Sequence, residues 1–307
     1  MLNYDSIHVL IKEYINYLDL KPITKESYQR ILLEYAKFVE RLNEPPTRED
    51  VKTYRDNLLH SRPKRKPTTV QKYIVVIRNF YAWLYAEKKG DNIAIGIKGA
   101  KIESSFKREP LSSSMAKKLV DFAKSESNKG ILQLRNYLMI ALMLTTGMRT
   151  IEVSRADTTD IHIVDDDYAL FVQGKGRDGK DNYVKLAPHV YTIIMEYLEA
   201  RADEYDPLFI NHGRNQKEIR ISTRTISKTI KEYLKDIGID SEKYTAHSLR
   251  HTAATMAMRE GAGIHSTQQL LRHKNPNTTQ IYVSTMNRRE EFFEKAISDR
   301  LFGDSHE

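Results

Sequence analysis

A chain of 307 residues is long enough for about two domains, each with its own core. Hydrophobic residues make up 40% and charged residues 29%, with 9 Pro and 13 Gly, which excludes a collagen-like, low-complexity or disordered chain. Cysteine is absent, which removes disulfides, thiolate nucleophiles and sulfur-based zinc sites, and the net charge of +8 is consistent with a polyanionic partner.

The N-terminal residues show no basic stretch followed by an apolar run, and no apolar stretch approaches membrane-spanning length. A cytoplasmic protein, off the membrane, is expected. The charge is uneven: residues 1–110 hold 21 basic and 14 acidic side chains, so most of the excess lies in the first third. It gathers from Arg62-Pro63-Lys64-Arg65-Lys66-Pro67 onward, through Lys72 and Arg78. Taken alone such a run is a solvated face.

In chain order, Ile7, Leu10, Ile11, Tyr14, Ile15 and Leu18 recur at helical spacing, as do Tyr28, Ile31, Leu32, Tyr35, Phe38, Val39 and Leu42. Thr24 before Glu26 and Thr47 before Glu49-Asp50 read as N-caps, and Thr68 opens a fourth helix that stops near Gly90. The expected first domain, residues 1–97, is all helical. Residues 98–110 read as a basic linker holding Lys107 and Arg108, and residues 111–307 as a second domain. That domain opens with helices around 115–123 and 132–144. Its period then changes through Ile161-His162-Ile163-Val164, an Asp165-Asp166-Asp167 turn, residues 168–173 and Tyr183-Val184-Lys185-Leu186, a short antiparallel sheet. After Pro188 the helical pattern returns and is read as continuing to Leu301. The fold class is therefore mainly α, with one small sheet in the second domain.

Gly174-Lys175-Gly176-Arg177-Asp178-Gly179-Lys180-Asp181 matches both the dinucleotide fingerprint and most of a phosphate-binding P-loop. Both motifs need their glycines to open a helix, and this segment runs into a strand, so a nucleotide site is rejected. A basic hairpin tip with Lys175 remains. Thr145-Thr146-Gly147-Met148-Arg149-Thr150-Ile151-Glu152 reads, alone, as a helix end with an ion pair. His247 and Arg250 stand three apart on one helix, His273 follows in Leu271-Arg272-His273, and Tyr282 lies between Ile281 and Val283.

Together these groups have the chemistry for metal-free transesterification at a phosphodiester. Two guanidiniums can neutralise the non-bridging oxygens as a pentacoordinate transition state forms. A phenol needs a cationic setting or a base before it attacks phosphorus, and the departing 5′ oxygen needs a proton, which Lys175 could deliver.

Thr-Gly-Met-Arg149, Gly-Lys175-Gly, His247-x-x-Arg250-His251-Thr252, Leu-x-His273 and Tyr282 resemble the tyrosine site-specific recombinase (phage integrase) family, in order and spacing across the second domain. Ser27-Tyr28 with Phe38, and Phe80-Tyr81-Ala82-Trp83-Leu84, resemble that family's helical core-binding domain, in the two-domain Xer-like or simple integrase arrangement. The resemblance implies that Arg149 and Arg250 clamp the scissile phosphate and that Lys175 is the general acid. It implies that His247 and His273 bind phosphate and manage the proton of Tyr282, the nucleophile of a 3′-phosphotyrosyl bond, and that Glu152 orients Arg149. No metal, ATP or other cofactor is implied. The implied partners are a double-stranded recombination site, a dimer per site and a homotetramer on paired sites, with an accessory or excision protein possible. Arg62, Lys64, Arg65, Lys66, Lys72, Arg78, Lys107 and Arg108 become candidate phosphate contacts. Where the family commonly has Gly before the second His, this chain has Arg272, so that turn is expected to differ and Arg272 to add a phosphate or a protein contact. Phe293, Ile297 and Leu301 form a stripe that suits either docking on a neighbouring protomer or packing at home.

Two rivals stand beside this reading. A non-catalytic DNA-binding protein of the same fold would not need Tyr282, Arg149 or Arg250. A metal-dependent nuclease would use Asp165, Asp166, Asp167 and a histidine.

Overall fold

The computed structural model describes residues 4–101, 109–174, 177–212, 219–272 and 298. The chain divides into two compact units, Met1–Ser105 and Phe106–Glu307. Within the first lie α1 (Tyr4–Tyr17), α2 (Pro22–Val39), α3 (Arg48–His60) and α4 (Pro67–Ala86). Their apolar stripes converge on a core of Ile11, Leu32, Tyr35, Ile74, Ile77 and Phe80. The Thr47 cap forms as expected, its hydroxyl and backbone N–H reaching Asp50. The other two starts are corrected. Helix α2 begins at Pro22 behind Lys21 and α4 at Pro67 behind Lys66, so Thr24 and Thr68 lie inside the first turn. Proline's fixed φ and missing N–H suit the first helical position, where the donor would be orphaned anyway.

The second unit is built around α6 (Ile131–Thr146), buried almost all round from Arg135 to Leu144. It is flanked by α5 (Ser113–Ser127), and further on by α8 (Pro188–Arg201), α9 (Thr223–Asp236) and α10 (Ala246–Arg259). After α6 come the short α7 (Thr150–Arg155) and an antiparallel sheet of β1 (Ile161–Val164), β2 (Asp167–Val172) and β3 (Asn182–Lys185), in that order. Leu170 pairs with both Ile161 and Val184, and Leu170, Val172 and Val184 turn their side chains into the core. The turn is shorter than expected. Asp165 and Asp166 alone occupy its left-handed positions, while Asp167 already pairs with Val164 inside the strand.

The helical reading after Pro188 is also corrected. Between α8 and α9 the described residues form two isolated bridges, Pro207 to Asp157 and Ile210 to Arg220, while Leu208, Phe209 and Ile210 are buried. Pro207 disfavours helix at the residue before it, and the apolar run behind it fits a buried strand-like segment. The last described helix is α11 (Ile264–Leu271), and the expected stripe of Phe293, Ile297 and Leu301 lies outside the described residues. No helix among the described residues is long and apolar enough to cross a membrane.

Candidate active site

Gly147 ends α6 in the left-handed region at φ +62°, its N–H bonded to the Met143 carbonyl. A side chain here would be strained by that φ, and its β-carbon would sit 2.7 Å from Leu271 Cδ2, which would have to shift. The turn buries Met148 and delivers Arg149 to the N-cap of α7. Glu152, three residues on and 1% exposed, accepts the Arg149 backbone N–H at 2.8 Å through Oε2 and Arg149 Nη1 at 2.7 Å through Oε1. One carboxylate thus both caps the helix and pairs with the guanidinium of Arg149. Burial alone would raise its pKa, but Arg272 and then Arg149 outweigh that and hold it below the usual carboxylate range.

Arg250 is 1% exposed and among the largest fully buried side chains described. Its Nη1 donates to the Gly147 carbonyl and its Nη2 to that of Leu271. It therefore joins the turn before Arg149 to the end of α11. His247, on the first turn of the same helix, is exposed, with its ring edge-on to His251 at 4.5 Å.

Arg149, Glu152 and Arg272 line a pocket of about 230 Å³ with Val172, Gly174, Arg177 and Asn182 from the β2–β3 hairpin. Lys175 lies outside the described residues, but Gly174 and Arg177, on either side of positions 175 and 176, both line the pocket. His273 and Tyr282 also lie outside the described residues. The structure thus brings together Arg149, Glu152 and Arg250, and leaves His247 on the surface of α10. Among the polar lining residues two escaped the sequence: Arg177 and Asn182 carry no signal beyond their place in the hairpin.

The turn at Arg272 keeps the geometry that a glycine favours, at φ 52° and ψ 47°. Its side chain makes a protein contact, Arg272 Nη2 donating to Glu152 Oε2 at 2.8 Å. Lys180, which occupies the lysine position of the P-loop match, instead bonds Asp157 and Asp160 and pins the hairpin down. Asp167 pairs with Lys185, and among the described residues no group of three or more His, Asp or Glu is placed to hold a metal ion.

In the first unit Arg62, Lys64, Lys66, Lys72 and Arg78 are exposed. Arg65 is held differently, paired with Glu34 and lying 4.8 Å over the Tyr73 ring, so it is not a free surface cation. Lys107 and Arg108 lie outside the described residues.

The fold recurs in solved recombinases bound to DNA. A XerH recombinase in its post-cleavage complex with a palindromic difH substrate aligns at TM-score 0.71 and 20% identity, over 97% of this chain and 85% of that one. A lambda integrase dimer on a COC′ core site aligns at 0.70 and 16%, over 90% and 76%. The two helical units, with a three-stranded sheet in the second, define the tyrosine recombinase class of fold. The chain belongs to the phage integrase family, whose model matches residues 109–289, while that of the phage integrase N-terminal SAM-like domain matches residues 11–88. Among similar curated proteins are the tyrosine recombinase XerD of Lacticaseibacillus casei, 29% identical over 92% of this chain and 95% of its own length, and XerA of Pyrococcus horikoshii, 27% identical over 96% of each.

Proposed function

We propose that this chain, a tyrosine recombinase and so an enzyme of site-specific DNA recombination, cuts and rejoins strands through Tyr282. The observation that carries the proposal is the pocket in which Glu152 holds Arg149 fast beside the hairpin of Lys175. A scissile phosphate entering it meets charge that is already oriented, which is how fixed donors stabilise a transition state without reorganising.

Arg149 donates to a non-bridging oxygen, and Arg250 adds positive charge from beneath the same turn. The Tyr282 oxygen attacks phosphorus, its proton passing toward His247 or His273. The bond to the 5′ oxygen breaks, and Lys175 protonates that oxygen. The 3′-phosphotyrosyl bond conserves the phosphodiester, so a 5′ hydroxyl from the partner duplex can attack it, release Tyr282 and restore the backbone. Neither ATP nor a metal enters the balance.

The first unit, with Lys64, Lys66, Lys72 and Arg78, contacts duplex phosphates in this reading, and the linker of residues 98–110 joins it to the catalytic unit of residues 111–307. A dimer per site and a tetramer on paired sites are supported by a structural neighbour, a lambda integrase tetramer bound to a Holliday junction, at TM-score 0.68 and 17% identity.

The test is covalent trapping on nicked duplexes drawn from the flanks of the gene, in EDTA, with the parent protein beside Tyr282→Phe. A protease-sensitive protein–DNA adduct formed by the parent alone is expected. Adduct from Tyr282→Phe, or adduct that needs a divalent cation, overturns the mechanism.

A further inference from the structure

Arg272 carries two local burdens at once. Its backbone sits in the left-handed region, where a β-carbon is crowded and glycine is the easy occupant. Its side chain is 8% exposed, and although Nη1 reaches the Leu270 carbonyl and Nη2 reaches Glu152, its Nε is buried without a hydrogen-bond partner among the described residues. A buried donor left unpaired is expensive, and a strained residue with an unsatisfied polar atom is what a waiting ligand site looks like.

The surroundings name the ligand. Arg272 and Arg149 share a single carboxylate, and Arg177 lines the same pocket while its own acid, Asp181, does not. Two guanidiniums against one Glu152 leave a net positive charge in a cavity large enough for one phosphate group.

We propose, resting on the recombinase mechanism above, that Arg272 is a further substrate contact whose Nε–H donates to a non-bridging oxygen of the DNA phosphate held beside Arg149. The residue is then more than a brace for Glu152. It is a third guanidinium on the phosphate path, at the position where a glycine would offer only backbone. Its geometry suits the role, since Nη2 is anchored and the planar fork fixes where Nε–H points.

The experiment compares the rate of covalent adduct formation on nicked duplexes from the gene's flanks, carrying either a normal scissile phosphate or an uncharged methylphosphonate there. Arg272→Gly removes the guanidinium and relieves the left-handed backbone, so its melting transition should persist. Arg272→Lys keeps a cation for Glu152 but has no Nε–H, and serves as the second variant.

On the charged phosphate both should slow cleavage, Arg272→Gly by about a hundredfold, the usual loss for one donor to a developing oxyanion. In a Glu152→Gln background Arg272→Gly should slow it again, and on the methylphosphonate its penalty should largely vanish. A penalty unchanged on the uncharged phosphate, or absent once Glu152 is replaced, would make Arg272 a brace and overturn the inference. A parent protein that forms no adduct overturns the recombinase mechanism itself, and with it the substrate named here, so the two failures are told apart.

Discussion

Among the described residues the buried charged residues all lie in the second unit, Arg135, Glu152, Asp160, Arg201 and Arg250, and so does Arg272, whose side chain is 8% exposed. The first unit is packed by rings. Tyr14 meets Phe80 edge-on at 5.5 Å and Trp83 at 5.3 Å, Tyr35 meets Tyr54 at 5.0 Å, and a buried polar contact there joins two hydroxyls, Tyr35 to Tyr81 at 3.0 Å. Buried ion pairs are seldom more stabilising than well-packed apolar residues, because both partners must leave water. The second unit therefore carries its charges for what they hold in place. The first, whose exposed cations need only a surface, can give its interior to aromatic packing.

The sharpest way to break this contrast is to remove one polar anchor from each unit. Arg250→Met leaves the Gly147 and Leu271 carbonyls without their charged donor and should lower the unfolding free energy of the second unit by about 3 kcal/mol, read from the urea midpoint. Tyr35→Phe keeps the ring stack and loses one neutral hydrogen bond, about 1 kcal/mol. Trp83, the single tryptophan, reports the first unit alone by fluorescence, so the two losses can be read separately. Equal losses would erase the distinction.

A smaller effect sharpens it by pH. Burial, then Arg135 and Arg201, push His212 down to about 4, with the Tyr197 hydroxyl 2.9 Å from its Nε2. Unfolded histidine titrates near 6.5, so between about 6.5 and 4 the unfolded chain binds a proton that the folded one refuses. Stability of the second unit should fall as pH drops through that window, and His212→Asn should flatten the slope.

The smallest effect on folding belongs to the exposed cations. Lys72→Ala with Arg78→Ala should leave melting unchanged, yet reduce the salt dependence of duplex binding by about 0.9 in logarithmic slope for each phosphate that is no longer neutralised. An unchanged slope would remove these two residues from the interface.

Local signals were readable in the sequence, and long-range pairings were not. The stripes of α2 and α4, the Thr47 cap and the three strands each depend on neighbours a few residues apart, where periodicity and capping chemistry act. Thr24 and Thr68 misled because a proline at the first helical position can start a helix without a hydroxyl cap. Arg65 stood in a basic run that reads as solvated, and its fate was decided by Glu34 on α2 and Tyr73 on α4. In the site, Arg149 and Glu152 were legible because they cap one helix. The partnership of Glu152 with Arg272 spans 120 residues and appears only once α11 is folded against the turn.

Arg250 has one more consequence, in time rather than space. It fastens segments 103 and 21 residues away in the chain, one just before Arg149 and the other just before Arg272. Freeing the turn before Arg149 or the end of α11 means breaking a fully buried pin, so that wall of the pocket should last as long as the second unit stays folded. Heat inactivation should then follow a single clock: cleavage competence decays at the rate at which that unit unfolds, with no interval in which a folded protein has lost its site.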